Sequence, residues 1–132
     1  MDSNRVTPAM IRKLNRGEIF VFGSNQKGLH LGGAARSALR DFGAVMGQGE
    51  GLQGESYAIP TMEGLESMKN AVERFINFAT EHPELHFLVT PIGCGIAGYD
   101  PEEIAPMFHE SENLQNVSLP EEFWQILENN KD

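Results

Sequence analysis

The chain has 132 residues, a length typical of one compact domain, and we expect a single domain over residues 1–132. Ten Lys and Arg against nineteen Asp and Glu give a net charge of −9, which disfavours general nucleic-acid binding because phosphate backbones would be repelled. No apolar run approaches the roughly 20 residues of a membrane-spanning helix. The N-terminus lacks a signal-peptide pattern, and one cysteine allows no disulfide framework. We therefore expect a cytoplasmic protein without a membrane partner.

The first elements are predicted from the spacing of apolar residues. Residues 7–14 begin with Thr-Pro, which suits a helix cap and first turn, and then carry apolar side chains at helical spacing, which predicts a short packing helix. Residues 18–22 include four successive apolar side chains, as expected of a strand covered on both faces. This pattern favours a parallel sheet flanked by helices.

A glycine loop follows this strand and leads into a helix. Gly23, Ser24 and Asn25 come directly after the strand, and residues 32–35, Gly-Gly-Ala-Ala, begin the next helical stretch. The intervening Leu29-His30 stands where a Walker loop requires Lys and then Ser or Thr, which excludes that NTPase motif. Small side chains leave a narrow, positive helix end that can accept a diphosphate closely.

The middle of the chain is rich in glycine and then becomes regular. Residues 43–56 are predicted as a long loop with a short irregular strand near 44–46, and such loops are uncommon unless functional. Residues 57–61 predict a strand. Residues 65–79 carry the clearest amphipathic helix pattern of the sequence, and its apolar stripe is assigned to the core.

A second glycine loop follows the buried strand predicted at residues 86–89. This loop covers residues 92–99 and ends in Asp100-Pro101, with Glu103 placed to complete a capping box at a new helix. An edge strand near 116–119 and a final helix from 120 complete the chain. The alternation of strands and helices predicts an α/β fold with a mostly parallel sheet. Loops at the carboxyl ends of parallel strands could face one crevice, where such sheets bind ligands.

The two glycine loops resemble those of the macrodomain family, whose members bind ADP-ribose. The resemblance rests on Asn25 with the glycine cluster at a helix start, and on residues 90–99, Thr-Pro-Ile-Gly-Cys-Gly-Ile-Ala-Gly-Tyr. It extends more weakly over residues 18–109 and is nearest to the terminal ADP-ribose protein glycohydrolase subgroup. The resemblance implies a three-layer macrodomain-like fold.

The family's binding mode implies a role for each matching segment. Asn25 would contact the distal ribose, residues 32–35 would line the ribose and phosphate region, and residues 93–99 would wrap the diphosphate. The resemblance thus implies ligand contacts from Gly23, Ser24, Asn25, Gly32, Gly33, Ala34, Ala35, Ile92, Gly93, Cys94, Gly95, Ile96, Ala97, Gly98 and Tyr99.

The chain also departs from the family pattern. Ala34-Ala35 stands where hydrolytic macrodomains often carry an aspartate, Ala97 occupies the place of the glycohydrolase acid, and no lysine matches that subgroup's nucleophile. Residues 16–19, Arg-Gly-Glu-Ile, replace the family's Gly-Asp-Ile signature on the adenine side. These departures favour binding over hydrolysis.

Two residues are candidates for a catalytic role if the cleft hydrolyses its ligand. Asn25 lies directly after a strand, and His30 could orient a water beside a bound ribose or phosphate. An alternative is a hydrolase with Cys94 as nucleophile, assisted by His30, since a thiol near a helix start can be activated. The four histidines lie on separate segments, so no metal site and no cofactor are predicted.

The sequence therefore predicts a monomer that binds ADP-ribose or a related nucleotide derivative, and it leaves open whether the protein also hydrolyses an ADP-ribose ester or phosphate. One alternative is a non-catalytic reader of ADP-ribosylated protein or of an NAD-derived metabolite. The other is the small cysteine-dependent hydrolase.

Overall fold

The computed structural model describes residues 5–131. The strands, in chain order, are β1 (Glu18–Ser24), β2 (Gly51–Gln53), β3 (Ser56–Pro60), β4 (His86–Val89) and β5 (Val117–Ser118). They form one five-stranded sheet in the order β2-β3-β1-β4-β5. The pairs β1–β3, β1–β4 and β4–β5 are parallel, and β2 is antiparallel to β3. The prediction of an α/β fold with a mostly parallel sheet is therefore confirmed.

Helices connect the parallel strands, as the return path from one strand end to the next start requires. The α-helices of the described chain are α1 (Gly33–Asp41), α2 (Leu65–Glu81), α3 (Pro101–Ile104) and α4 (Glu121–Asn129), and a 3-10 helix covers Ala105–Asn113. The predicted cap of α3 is present, because the Glu103 carboxylate accepts a hydrogen bond of 3.0 Å from the Asp100 N–H and Pro101 opens the helix. Both predicted glycine loops lead into helices.

The central strand β1 is covered on both faces, as its apolar run predicts. Ile19 and Val21 pack into a large core with the apolar stripes of α2 and α4, whereas Phe20 and Phe22 pack into a smaller core with α1. Successive side chains of a strand point to opposite faces, which accounts for this alternation. Phe22 is fully buried, and burial of such a side chain stabilises the fold by about 1.5–3 kcal/mol.

The helix predicted over residues 7–14 is wrong. This segment is not helical; Val6 forms a bridge with Leu119, and the Thr7 N–H donates to the Leu119 carbonyl at 2.9 Å. The start of the segment thus continues the sheet beside the chain after β5, where the Thr7 N–H finds the partner that it would lack at a helix start. The apolar spacing was misleading because Met10, one of its members, is 70% exposed.

The strand predicted near residues 44–46 is also wrong, because the hairpin partner of β3 is β2, further along the chain. Gln53, buried in β2, organises the preceding loop. Its Oε1 accepts from the Val45 N–H at 2.7 Å, and its Nε2 donates to the carbonyls of Gln48 and Gly51. One buried amide side chain thus bonds the Val45 N–H of the predicted strand and two carbonyls further along the loop.

Candidate functional site

The two glycine loops form one cleft at the carboxyl ends of β1, β3 and β4. The cleft has a volume of about 730 Å³, within the range of small-molecule sites. It is lined by Gly23, Ser24, Asn25, Leu29, Leu31, Gly32, Gly33, Ala34, Ala35, Thr61, Met62, Thr90, Pro91, Ile92, Gly93, Cys94, Gly95, Ile96, Ala97 and Glu122. Of the predicted ligand-binding residues, Gly98 and Tyr99 lie outside this lining, and the rest lie within it.

The two loops lie close together, and Gly93 needs glycine because of its positive φ. A Cβ added to Gly23 would lie 3.6 Å from the Gly93 nitrogen, and one added to Gly32 would lie 3.2 Å from Ile96 Cδ1. Gly93 has φ +77°, and a Cβ there would lie 2.8 Å from Met68 Cε. The glycines therefore allow the two backbones to meet over the core side chain of α2.

The first loop presents the amino-terminal end of α1 to the cleft. Gly32 is the N-cap and has no side chain to bond the helix amides. The first intrahelical bond runs from the Arg36 N–H to the Gly32 carbonyl at 3.3 Å. The N–H groups of Gly33, Ala34 and Ala35 therefore have no partner among the described residues. Open amides at a helix start attract anions.

The second loop is held by its own backbone while leaving several amides open. The Tyr99 N–H donates to the Gly93 carbonyl at 2.8 Å, and the Gly98 N–H donates to the Gly95 carbonyl at 3.0 Å. Within the described part of the chain, the N–H groups of Gly95, Ile96 and Ala97 have no hydrogen-bond acceptor. Gly98 and Tyr99 thus close the loop. Tyr99 also packs partly buried against the large core, which explains its absence from the cleft lining.

The hydroxyl groups that line the cleft are engaged by the protein itself. Ser24 Oγ donates to the Gly49 carbonyl. Thr61 Oγ1 donates to the Ser24 carbonyl at 3.2 Å, and Thr90 Oγ1 donates to the Val21 carbonyl at 2.7 Å. These bonds tie the ends of β1, β3 and β4 together below the cleft.

Asn25 lies in the cleft lining and braces the first loop. Its Oδ1 accepts from the Leu29 N–H at 2.9 Å, and its Nδ2 donates to the Leu29 carbonyl at 3.0 Å. Both ends of the amide therefore hold the turn between β1 and α1. A contact between Asn25 and the ribose of a ligand must therefore use the hydrogen-bonding capacity that the two bonds to Leu29 leave free.

His30 lies away from the cleft, buried under the same loop. Its side chain is 1% exposed, its Nε2 lies 3.2 Å from Gln53 Oε1, and its ring meets Phe22 edge-on at 5.2 Å between centroids. His30 Nδ1 has no hydrogen-bond partner among residues 5–131. His30, predicted as a candidate to orient a water beside the ligand, is therefore a packed side chain, and its position lends no support to a catalytic role.

Cys94 lies in the cleft lining, but its thiol is not activated. Burial, together with the negative charges of Glu122 and Asp100, raises the pKa of Cys94 to about 11. Its Sγ lies 3.5 Å from the Ile92 carbonyl. A cysteine nucleophile needs a lowered pKa, so this environment opposes the thiol mechanism.

The charge of the cleft comes from one residue that sequence patterns did not single out. Glu122, at the start of α4, is a carboxylate in a described lining that includes no Lys or Arg.

No group of three metal-ligating side chains occurs in the described part of the chain. Among the same residues, no helix is both long and apolar enough to cross a membrane.

A second groove of about 640 Å³ continues from the cleft beneath the N-terminal segment. The two depressions share Ala34, Thr90, Pro91 and Glu122. The second groove is further lined by Val6, Thr7, Pro8, Ala9, Met10, Ile11, Phe20, Ser37, Pro120 and Glu121. The non-helical course of residues 7–14 thus forms one wall of a surface that adjoins the cleft.

Several lining residues were missed from the sequence, and some of them carried a usable signal. Thr61 and Met62 directly follow the parallel strand β3, so the rule that locates ligands at carboxyl ends of strands would have found them. Leu29 and Leu31 lie inside the first loop but have no polar group to mark them. Glu122 follows β5 after a short connection and resembles any acidic first-turn residue of a helix.

Comparison with models of known protein families, with curated protein sequences and with solved structures found no match to this chain.

Proposed function

We propose that the protein binds ADP-ribose or a related nucleotide derivative, with the diphosphate held by backbone N–H groups of the two glycine loops. The proposal includes a three-layer macrodomain-like arrangement. Helix α1 on one face of β1, and α2 and α4 on the other, support that arrangement.

One observation carries the proposal: open amides lie on both sides of a single cleft. They belong to residues 33–35 at the start of α1 and to residues 95–97 of the second loop, and they have no acceptor among the described residues. Gly33, Gly95 and Ile96 are exposed, so amides on both sides of the cleft are accessible to a ligand. Open N–H groups at a helix start and in a glycine loop attract anions. A diphosphate offers acceptor oxygens to both sides at once.

The walls of the cleft favour a ligand that is larger than a free diphosphate. Exposed apolar side chains lie in the lining, namely Leu29, Leu31, Met62 and Ile96. Apolar walls with a few convergent polar groups are typical of small-molecule sites and suit the sugar and base parts of a nucleotide. The adjoining second groove gives such a ligand room to extend.

Binding without turnover is favoured over hydrolysis. Cys94 has a raised pKa, His30 is buried outside the lining, and Asn25 is engaged with Leu29. A reader of ADP-ribosylated protein needs only the cleft, whereas a hydrolase needs a group that activates water.

The test is calorimetric titration of the protein with ADP-ribose, together with an Ala34→Glu variant. A carboxylate in the first turn of α1 favours the helix by about 0.3–1 kcal/mol. Because Ala34 is half-buried against the smaller core, urea denaturation of the variant is measured beside the titration to show that it is folded. The same carboxylate would compete with the ligand for the amides of residues 33–35. We expect the affinity for ADP-ribose to fall by tenfold or more.

Arg36→Gln is the matched control, because it also lowers the net charge by one, and because exposed Arg36 is on the same helix but outside the cleft lining. Its affinity should stay within about twofold of the unmodified protein, apart from weak long-range electrostatics. Absence of ADP-ribose binding by the unmodified protein, or equal losses in both variants, would refute the proposal. Product formed from ADP-ribosyl-1″-phosphate or mono-ADP-ribosylated peptide, and lost in Asn25→Ala, would instead establish the hydrolase.

A further inference from the structure

Glu122 is the polar side chain of the cleft that the protein leaves unengaged. The hydroxyls of Ser24, Thr61 and Thr90 donate to backbone carbonyls, and both ends of the Asn25 amide bond Leu29. The Glu122 carboxylate has neither a hydrogen bond nor an ion pair with any described residue. It is therefore the side chain of the lining with its full hydrogen-bonding capacity available to a ligand.

The negative charge of Glu122 is also uncompensated within the cleft. The described lining includes no Lys or Arg, and the only other ionisable side chain in it is Cys94, which the raised pKa keeps neutral at neutral pH. The overall charge of −9 adds to this field. A ligand anion can therefore be held only where backbone amides outweigh the charge of the carboxylate.

Strand order places Glu122 at one end of the cleft. Along the carboxyl edge of the sheet, residues 61–62 follow β3, the first loop follows β1, the second loop follows β4, and Glu122 follows β5. Three strand spacings separate β3 from β5, roughly 14 Å. The open amides of both loops lie between these ends, after β1 and β4. A ligand with its diphosphate on these amides brings one terminal group toward Glu122.

We propose that Glu122 is a specificity-determining residue of this cleft, which accepts hydrogen bonds from an uncharged, hydroxyl- or amino-bearing end of the ligand and rejects a ligand with a further phosphate at that end. The inference rests on the proposed function and narrows it to nucleotide derivatives with a diphosphate as their only phosphate groups. A carboxylate is an acceptor for O–H and N–H donors and repels a phosphate brought within a few ångströms.

The experiment compares affinities for ADP-ribose and for two analogues with a third phosphate at opposite ends, the 2′-phosphate and the 1″-phosphate derivatives. Each ligand is titrated calorimetrically into the unmodified protein, Glu122→Gln and Glu121→Gln. Glu121 is the matched control, since it is exposed, belongs to the same helical turn and lines the second groove but not the cleft. Either substitution removes one charge from the start of α4.

We expect the unmodified protein to bind one of the two analogues at least tenfold more weakly than ADP-ribose, since like charges in close contact are costly. Glu122→Gln should reduce that discrimination by tenfold or more, while Glu121→Gln should leave it within about threefold. The analogue that is rejected identifies the end of the ligand beside Glu122.

Two results separate the possible failures. If the unmodified protein does not bind ADP-ribose, the proposed function is wrong and this inference falls with it. If ADP-ribose binds, but both analogues bind equally well or the two variants change the discrimination equally, the role of Glu122 is wrong and the proposed function stands.

Discussion

At the scale of single residues, the cleft uses its polar side chains mainly for construction. Asn25 holds both backbone groups of Leu29, and Thr61 and Thr90 tie neighbouring strand ends to β1. This leaves main-chain amides and Glu122 to meet a ligand. Residue type alone therefore suggests more ligand-binding side chains than the cleft has, because the sequence does not show whether an asparagine after a strand binds a ribose or stabilises a turn.

The reactivity of Cys94 can be predicted from its surroundings. Burial and two nearby carboxylates raise its pKa to about 11, so the folded protein holds the thiol proton more tightly than the unfolded chain, where a thiol titrates near ~8.5. Alkylation by iodoacetamide at pH 7.5 should be about 100-fold slower than in the urea-unfolded chain, because the thiolate is the nucleophile. The rate in the folded protein should rise about tenfold per pH unit until the pH approaches 11.

The sign of the linked stability change follows from the same pKa shift. The stabilisation that accompanies the thiol proton is complete below the unfolded pKa and is lost as the pH rises through the folded pKa of about 11. Rapid alkylation of the folded protein with a midpoint below pH 8 would contradict the raised pKa. That result would also favour the alternative function, a hydrolase with Cys94 as nucleophile.

At the scale of elements, the glycine-rich segment before β2 supports the first loop. The Gly47 N–H donates to the Gly28 carbonyl at 2.8 Å, and Ser24 Oγ donates to the Gly49 carbonyl. A Cβ at Gly49 would collide with the backbone carbonyls of Asn25 and Gln26. The long loop thus supports the first loop of the cleft. This role accounts for the length of the long loop, which would be unusual in a simple connection.

This packing predicts different responses to two glycine substitutions. Gly49→Ala should lower the free energy of unfolding by about 1–3 kcal/mol, since the added methyl group meets rigid backbone. It should also weaken ADP-ribose binding by displacing the first loop. Gly95→Ala should change stability by less than about 0.5 kcal/mol, because nothing lies within 4 Å of a Cβ there and its φ is not in the left-handed region.

Urea denaturation of both variants measures the difference. Equal stability of the two variants would mean that the segment before β2 does not restrain the first loop. A stable Gly49→Ala variant with unchanged ligand affinity would lead to the same conclusion.

At the scale of the whole molecule, the net charge of −9 opposes an anionic ligand. Sites that hold phosphate through Lys and Arg lose affinity as salt rises, because the attraction is screened and counterions compete. Here the described cleft lining includes no Lys or Arg, and the long-range field is repulsive.

We therefore expect the affinity for ADP-ribose to stay constant or rise up to threefold between 20 and 200 mM NaCl, as screening weakens the repulsion. Titrations at the two salt concentrations measure this, with Glu122→Gln showing the smaller increase because part of the repulsion has been removed. A drop of tenfold or more over that range would indicate that a basic side chain holds the phosphate.

Features that depend on neighbouring residues could be predicted from the sequence. Local spacing and composition were enough to predict the buried strand at residues 86–89, the long amphipathic helix, the Asp100-Pro101 cap and both glycine loops. These features arise from backbone preferences and periodic burial, which act over a few residues. The order of strand and loop also sufficed to place Asn25 and Cys94 at the same edge of the sheet, and both line the cleft.

Features that depend on distant partners could not be predicted from local patterns and became visible in the fold. Thr7 bonds Leu119, more than a hundred positions away, and Ile11 and Leu14 pack against the smaller core. His30 is buried against Phe22 and Gln53, and Glu122 reaches the cleft because β5 lies beside β4. The physical reason is the same in each case. Hydrogen bonding and desolvation depend on what surrounds a group in space, and no local pattern specifies those surroundings.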